Sequence, residues 1–156
     1  MRTFAEYQEK LVKMRKNVYV DGKLLERNDP VLLPGQNVIK ITFNAAETGD
    51  PVFTATSHLT GKPINRFAHV YQTVDDLLYK QEMIRTLCGR TGGCIQRCMG
   101  MDVTNALYVT TREVDEKHGT NYHERFKKYL AWYQENDLVG NAAQSDVKGD
   151  RSKRPS

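Results

Sequence analysis

The stretch "TVDDLLYKQEMIRTLCGRTGGCIQRCMGMD", Thr73 to Asp102, carries the pattern on which the fold turns. Thr73 is a capping residue, and Asp75 and Asp76 fall in the first turn, where the helix dipole favours negative charge. The helix they open is expected to end at Gly89. After Gly92-Gly93 a second helix is expected from about Cys94 to Lys117, with Gly119 as its stop. Two of the three cysteines, Cys94 and Cys98, stand four residues apart in this second segment. On a helix that spacing puts both on one face with Cβ atoms about 5–6 Å apart. A disulfide wants about 3.5–4.5 Å, so regular helical geometry does not favour one.

Two thiolates facing one way can share a metal or an iron–sulfur cluster, both of which take soft sulfur ligands. Gly92-Gly93 would let backbone approach closely, and Arg90 and Arg97 would favour the thiolate form. The pair can equally serve as small core hydrophobes. A single C-x-x-x-C is less specific than paired C-x-x-C units, and on spacing alone core packing has the better odds. Cys88, His58, His69, His118 and His123 are the remaining donors of this kind, and the spacing brings no histidine alongside the pair.

Toward the N-terminus, Phe4, Tyr7, Leu11 and Met14 form one apolar stripe on a charged segment, which predicts a helix over Thr3 to Lys16. "VYVDGKLLE" places Asp21-Gly22 between short apolar pairs and predicts a tight hairpin or turn. "RNDPVLLPG" reads as a loop. "PGQNVIKITFNAAET", from Pro34, suits a helix with Val38, Ile41 and Ala45 on one side, although its Ile, Thr and Phe content leaves a strand open. Residues 49–72 show no clean period. A segment of that length is more often functional than idle, and Ser57, Thr60, Lys62, Asn65 and Arg66 are its candidates, against an ordered surface loop. Toward the C-terminus Thr120 is expected to cap a last helix whose apolar face is Tyr122, Phe126, Tyr129, Leu130 and Tyr133. Trp132 and the tyrosines read as core or subunit contacts, and the pattern breaks after Asp137. The fold class is mainly α.

At 156 residues the chain suits one domain with a real core. No run approaches the ~18 apolar residues of a membrane span, and the N-terminus lacks the apolar core of a secretory signal, so a cytoplasmic protein with reduced thiols is expected. The net charge of +4 is local: "KGDRSKRPS", 148–156, sets four basic residues against one acidic and supplies +3 of it. The rest is near neutral, with no basic face for a phosphate backbone, so neither nucleic acid nor a membrane is an expected partner.

Taken together, "GKPINRF", "CIQRCMGMD", "EVDEKHGTNYHERF", "QENDL" and "KGDRSKRPS" resemble the N-terminal portion of the 4-hydroxybutyryl-CoA dehydratase/vinylacetyl-CoA delta-isomerase family. That family lies within the wider 4-hydroxyphenylacetate 3-monooxygenase family of flavoproteins. The resemblance runs the length of the chain and implies the N-terminal helical domain of an acyl-CoA-dehydrogenase-like fold, 1–137. Residues 138–156 would then begin the flavin-binding β-domain, left incomplete. It implies FAD and a 4Fe–4S cluster, an acyl-CoA substrate such as 4-hydroxybutyryl-CoA, and a homotetramer when complete.

Cys94 and Cys98 match the cluster cysteines of this domain, with the other ligands, a histidine and a cysteine, beyond Ser156. Gln144, Ser145, Asp146, Lys148, Gly149, Asp150 and Arg151 match the flavin-binding loop. The isolated chain would be inactive. Two alternatives remain. Arg90 stands where the aromatic-hydroxylase branch carries an arginine for its phenolic substrate, and a non-catalytic helical fragment would need no site at all.

Overall fold

The computed structural model describes residues 1–93, 95, 97–143, 150 and 152–153. Among them are five α-helices and two short hairpins, with no strand outside the hairpins. Helix α1, Phe4–Lys13, opens on a capping box in which Thr3 and Glu6 satisfy each other's backbone N–H groups. Its apolar stripe sets Phe4 and Tyr7 against Phe43, with ring centroids 6.2 and 5.1 Å away.

Strands β1, Val18–Val20, and β2, Lys23–Leu25, pair antiparallel as the Asp-Gly pattern predicts. Asp21 and Gly22 both take positive φ, +48° and +76°, which matches the right-handed twist of the strands they join. The expected loop "RNDPVLLPG" is shorter than its prolines suggest. Asp29 caps a 3-10 turn over Pro30–Leu32, which runs straight into helix α2, Leu33–Glu47, where Pro34 sits in the first turn. The strand alternative for this segment does not form.

Residues 49–72 hold more order than their irregular composition indicates. Strands β3, Thr54–Thr56, and β4, Pro63–Asn65, pair antiparallel, and a 3-10 turn over Arg66–Ala68 follows. Three-residue strands are too short to show a period of two, so alternation could not announce them. Helix α3, Val74–Thr91, begins at a Thr73–Asp76 capping box and passes through Gly89 to end at Gly92, whose φ of +68° is the left-handed C-terminal stop. Gly89 is tolerated because helix propensity is a weak prior against the burial of Met83 and Leu87.

Helix α4, Arg97–His118, starts three residues later than expected, and position 94 precedes it. Gly119, at φ +64°, ends it. Helix α5, Tyr122–Glu135, is started by Asp115 of α4 rather than by Thr120. The Asp115 carboxylate accepts from Tyr122 N (2.8 Å), His123 N (2.8 Å) and Thr120 Oγ1 (2.6 Å), satisfying orphan amides across the turn. Of the expected α5 face, Leu130 and Tyr133 are buried and Phe126 is half-buried; Tyr122 and Tyr129 are exposed, as is Trp132.

The core lies in two clusters. Ala45, Phe53, Phe67, Met83, Leu87, Ile95 and Met101 join α2, the segment around the second hairpin, α3 and α4. Ala68, Val70, Leu130 and Tyr133 seat α5. Among the described residues no helix is long and apolar enough to cross a membrane.

Candidate functional site

The site grows from the α3–α4 junction. Thr91 closes α3 with its hydroxyl near three carbonyls, Gly93 O at 2.8 Å among them. Ile95 is buried and accepts from Arg97 N at 2.7 Å, a tight turn into α4. Cys98 follows in the first turn of α4, half-buried and packed on the larger core cluster. First-turn amides lack intrahelical acceptors and favour an anionic thiolate nearby. Cys88, in the last part of α3, packs half-buried on the same cluster. Cys94 lies outside the described residues. The expectation that the pair shares one helix face therefore falls outside the described residues, and of the two only Cys98 is placed, in the first turn of α4.

Arg97, read above as a promoter of the thiolate, has another partner. Its side chain is sealed from solvent, and Nη2 donates to Asp137 Oδ1 at 2.6 Å and to Leu138 O at 3.2 Å. Nη1 donates to Thr42 Oγ1 at 2.9 Å. The guanidinium also lies over Phe43 and Phe67, 4.9 and 5.3 Å from the ring centroids. Asp137 ends α5 at φ +42° and takes a second donor, the backbone N–H of Arg2, at 3.2 Å. Sequence reading missed this centre because its members lie 40 and 55 residues apart. The one local signal was an acidic residue just after a helix, at the position where glycine is favoured.

Three candidates of the 49–72 segment have internal partners. Ser57 donates to Gln134 Oε1 at 2.6 Å, and Gln134 returns a bond to Ala68 O at 2.9 Å. Asn65 caps the 3-10 turn after β4 and reaches Thr42 O. Arg66 donates to Pro51 O, Thr54 O and Asp76 Oδ1. Lys62 pairs with Glu135 on the surface, and Thr60 Oγ1 accepts from Lys62 N within the loop.

Beside Arg66, the buried His69 ring brings Nε2 to 2.9 Å from Asp76 Oδ1. Burial pushes the His69 ring below its ordinary value, against the pull of Asp76. Burial alone would raise Asp76, yet the Gln72 backbone N–H, the nearby His69 ring and the Arg66 guanidinium hold its carboxyl far below the usual carboxylate range.

Arg90 is exposed near the end of α3, with its guanidinium 5.9 Å from the Phe53 ring centroid. It lines a cavity of ≈ 510 Å³ together with Asn44, Thr48 and Asp50. Of the expected flavin-loop residues, Gln144, Ser145, Asp146, Lys148, Gly149 and Arg151 lie outside the described residues. Asp150 closes a small turn, accepting from Ser152 N and Oγ at 3.0 and 2.7 Å, bonds that lower its carboxyl. No three His, Cys, Asp or Glu side chains converge as a metal site among the described residues.

Residues 3–156 match the family described as 4-hydroxyphenylacetate 3-hydroxylase N terminal. The chain is 43% identical over its whole length to the 4-hydroxybutyryl-CoA dehydratase/vinylacetyl-CoA-Delta-isomerase of Clostridium aminobutyricum, of which it covers 33%. It is also similar to the solved structure of an oxygen-tolerant archaeal 4-hydroxybutyryl-CoA dehydratase from N. maritimus. There the TM-score is 0.91 and the identity 39%, over 98% of this chain and 31% of that one. The chain thus spans about a third of the length of these relatives.

Proposed function

The chain belongs to the 4-hydroxyphenylacetate 3-hydroxylase N-terminal family, and on that premise we propose that it is the N-terminal, cluster-bearing portion of a 4-hydroxybutyryl-CoA dehydratase/vinylacetyl-CoA delta-isomerase. The observation that carries the reading is the whole-chain likeness to dehydratases, with Cys98 in the first turn of a helix. A thiol at a helix start is a soft donor that is readily ionised, which is the chemistry an iron–sulfur cluster takes.

In this reading Cys94 and Cys98 would be ligands of a 4Fe–4S cluster, and a histidine and a cysteine from sequence outside this chain would complete the ligand set. Gln144, Ser145, Asp146, Lys148, Gly149, Asp150 and Arg151 would contact FAD, with Lys148 and Arg151 suited to its anionic groups, and 138–156 would open the β-domain that follows the helical domain 1–137. Such groups, when bound, supply Lewis acidity and one-electron chemistry. The residues of this chain supply position. Cys98 is seated on the core beneath it, and 4-hydroxybutyryl-CoA would lose water to crotonyl-CoA at a site to which this domain contributes part. The chain alone is inactive, and the complete protein is a cytoplasmic homotetramer.

The test is co-expression, without oxygen, with a polypeptide supplying the rest of the relatives' length. Flavin absorbance, bound iron and crotonyl-CoA formation are expected together. Activity from residues 1–156 alone, or an iron-free active assembly, contradicts the reading. One observation favours a second reading: the Arg90 cavity offers a cation beside an aromatic ring, as an aromatic hydroxylase would need for a phenol. Replacing both Cys94 and Cys98 by serine separates the two, since only the dehydratase loses iron and activity.

A further inference from the structure

We propose that Arg97 is a positioning residue that holds the first turn of α4, and Cys98 with it, in fixed register with the segment Asp137–Asn141. Its functional meaning rests on Cys98 being an iron ligand; its geometry does not. Arg97 and Cys98 are adjacent, so whatever fixes the one fixes the backbone of the other.

Three contacts tie that turn to the segment. Arg97 Nη2 reaches Asp137 Oδ1 and Leu138 O. One turn further along α4, Gly100 lies against Gly140 so closely that a Cβ there would stand 2.3 Å from the Gly140 carbonyl oxygen. Gly140 is held in turn from the α5 side, where its own Cβ would meet the Tyr133 hydroxyl at 2.7 Å. Side chain, backbone and glycine thus grip the same four or five residues from two helices.

The identity of residue 137 is the second argument. Asp137 N donates to Gln134 O at 3.1 Å and Leu138 N to Tyr133 O at 3.2 Å. Those are the two bonds of a Schellman stop, whose left-handed residue is usually glycine. Here it is a buried aspartate at φ +42°, a conformation that costs a non-glycine residue free energy. A buried ion pair is also a poor source of net stability, since apolar residues of similar volume often do as well. What the pair provides is a unique arrangement. The carboxylate is tolerated in a glycine's place because it meets Arg97, and Arg97 meets it beside Cys98.

The test uses the full chain, reduced and without oxygen, and compares wild type with Asp137→Asn, Arg97→Lys and Gly100→Ala. Asparagine suits the left-handed conformation and removes only the charge; lysine keeps the charge and loses the fork. Cys98 alkylation by iodoacetamide is followed by peptide mass spectrometry with Cys88 as internal reference, alongside thermolysin cleavage at Leu138 and Val139. Cys98 alkylation should rise by about tenfold in each variant, in step with cleavage, because local opening governs access to a packed unit. Cys88 alkylation and the far-ultraviolet circular dichroism should stay unchanged.

If Cys98 alkylation does not move, or Cys88 rises with it, Arg97 is only a stabilising residue and the proposal falls. Should Arg97→Lys not fold, Asp137→Asn decides alone. In the iron-loaded assembly the same substitution should alter the cluster's Mössbauer spectrum at unchanged iron content. A wild-type assembly without iron would overturn the proposed function while leaving the alkylation result standing.

Discussion

Arg66 and Arg97 are both buried, both paired with an aspartate and both stacked on aromatic rings, yet they organise the molecule on different scales. Arg66 gathers Pro51 O, Thr54 O and Asp76 within 15 residues of itself and lies 4.7 Å from the Tyr79 ring centroid. Its aspartate side chain keeps 15% of its surface exposed and doubles as the α3 cap. Arg97 gathers Thr42, Asp137 and Leu138 across 40 to 55 residues, and its ion pair is sealed, at 0% and 1% exposure. The first centre finishes a local turn, and the second holds distant segments together. The same pair of side chains therefore has different consequences when cut.

Cutting the sealed pair should cost most. Arg97→Met leaves the Asp137 charge buried without its partner, a loss of ~3–5 kcal/mol read by urea denaturation. The double variant Arg97→Met/Asp137→Asn should recover most of that, because the uncompensated charge is gone while asparagine still suits the left-handed backbone. Arg66→Met should cost less, since Asp76 keeps the N–H groups of Gln72 and Thr73. Equal losses at the two arginines would erase the distinction drawn between them.

The glycine contact beside Arg97 comes next. Gly100→Ala must displace the Gly140 backbone and should cost about 1–3 kcal/mol, as overpacking does. Gly89→Ala meets nothing within 4 Å and should instead stabilise α3 by roughly 0.5–1 kcal/mol, a contrast that thermal unfolding of the two variants would measure.

Acid should act on the Arg66 centre through two groups. The Asp76 carboxyl lies below its ordinary value in the fold. Its contribution is therefore whole above about pH 4 and is lost as pH falls from there toward the lower folded-state value. His69 is also lowered, by burial, so the unfolded chain binds its proton first and stability declines as pH drops below about 6.5. His69→Gln should flatten the decline between pH 7 and 5, and Asp76→Asn the decline below pH 4. Stability profiles of both variants, measured against wild type by urea denaturation, check the signs. The smallest effect is expected at the α4–α5 turn. Asp115→Ala removes three bonds that start α5 and should lower its hydrogen-exchange protection near Tyr122 without disturbing Cys98.

What the sequence made legible follows the same division of scale. The Thr73–Asp76 cap, the Asp21-Gly22 hairpin and the left-handed stop at Gly119 depend on neighbours within a few residues, and each forms where the pattern placed it or within one turn. The start of α4 and the fate of Arg97 did not. Both are decided by Phe43, Phe67, Thr42 and Asp137, which no window around residue 97 contains. A loop rich in polar residues makes Ser57, Asn65 and Arg66 candidates for a site, and each also meets an internal backbone or side-chain partner, which is what buried polar groups require. Of the proposed site, Cys98 fell on a helix start, a position that spacing alone could not distinguish from mid-helix.

Iron bound at Cys98 is the claim that the functional reading most directly needs. Iron should be counted per polypeptide in the anaerobically assembled protein, for wild type, Cys98→Ser and Cys88→Ser. A filled cluster is expected in wild type and in Cys88→Ser, with most iron lost in Cys98→Ser. Undiminished iron in Cys98→Ser, or none in wild type, contradicts that claim.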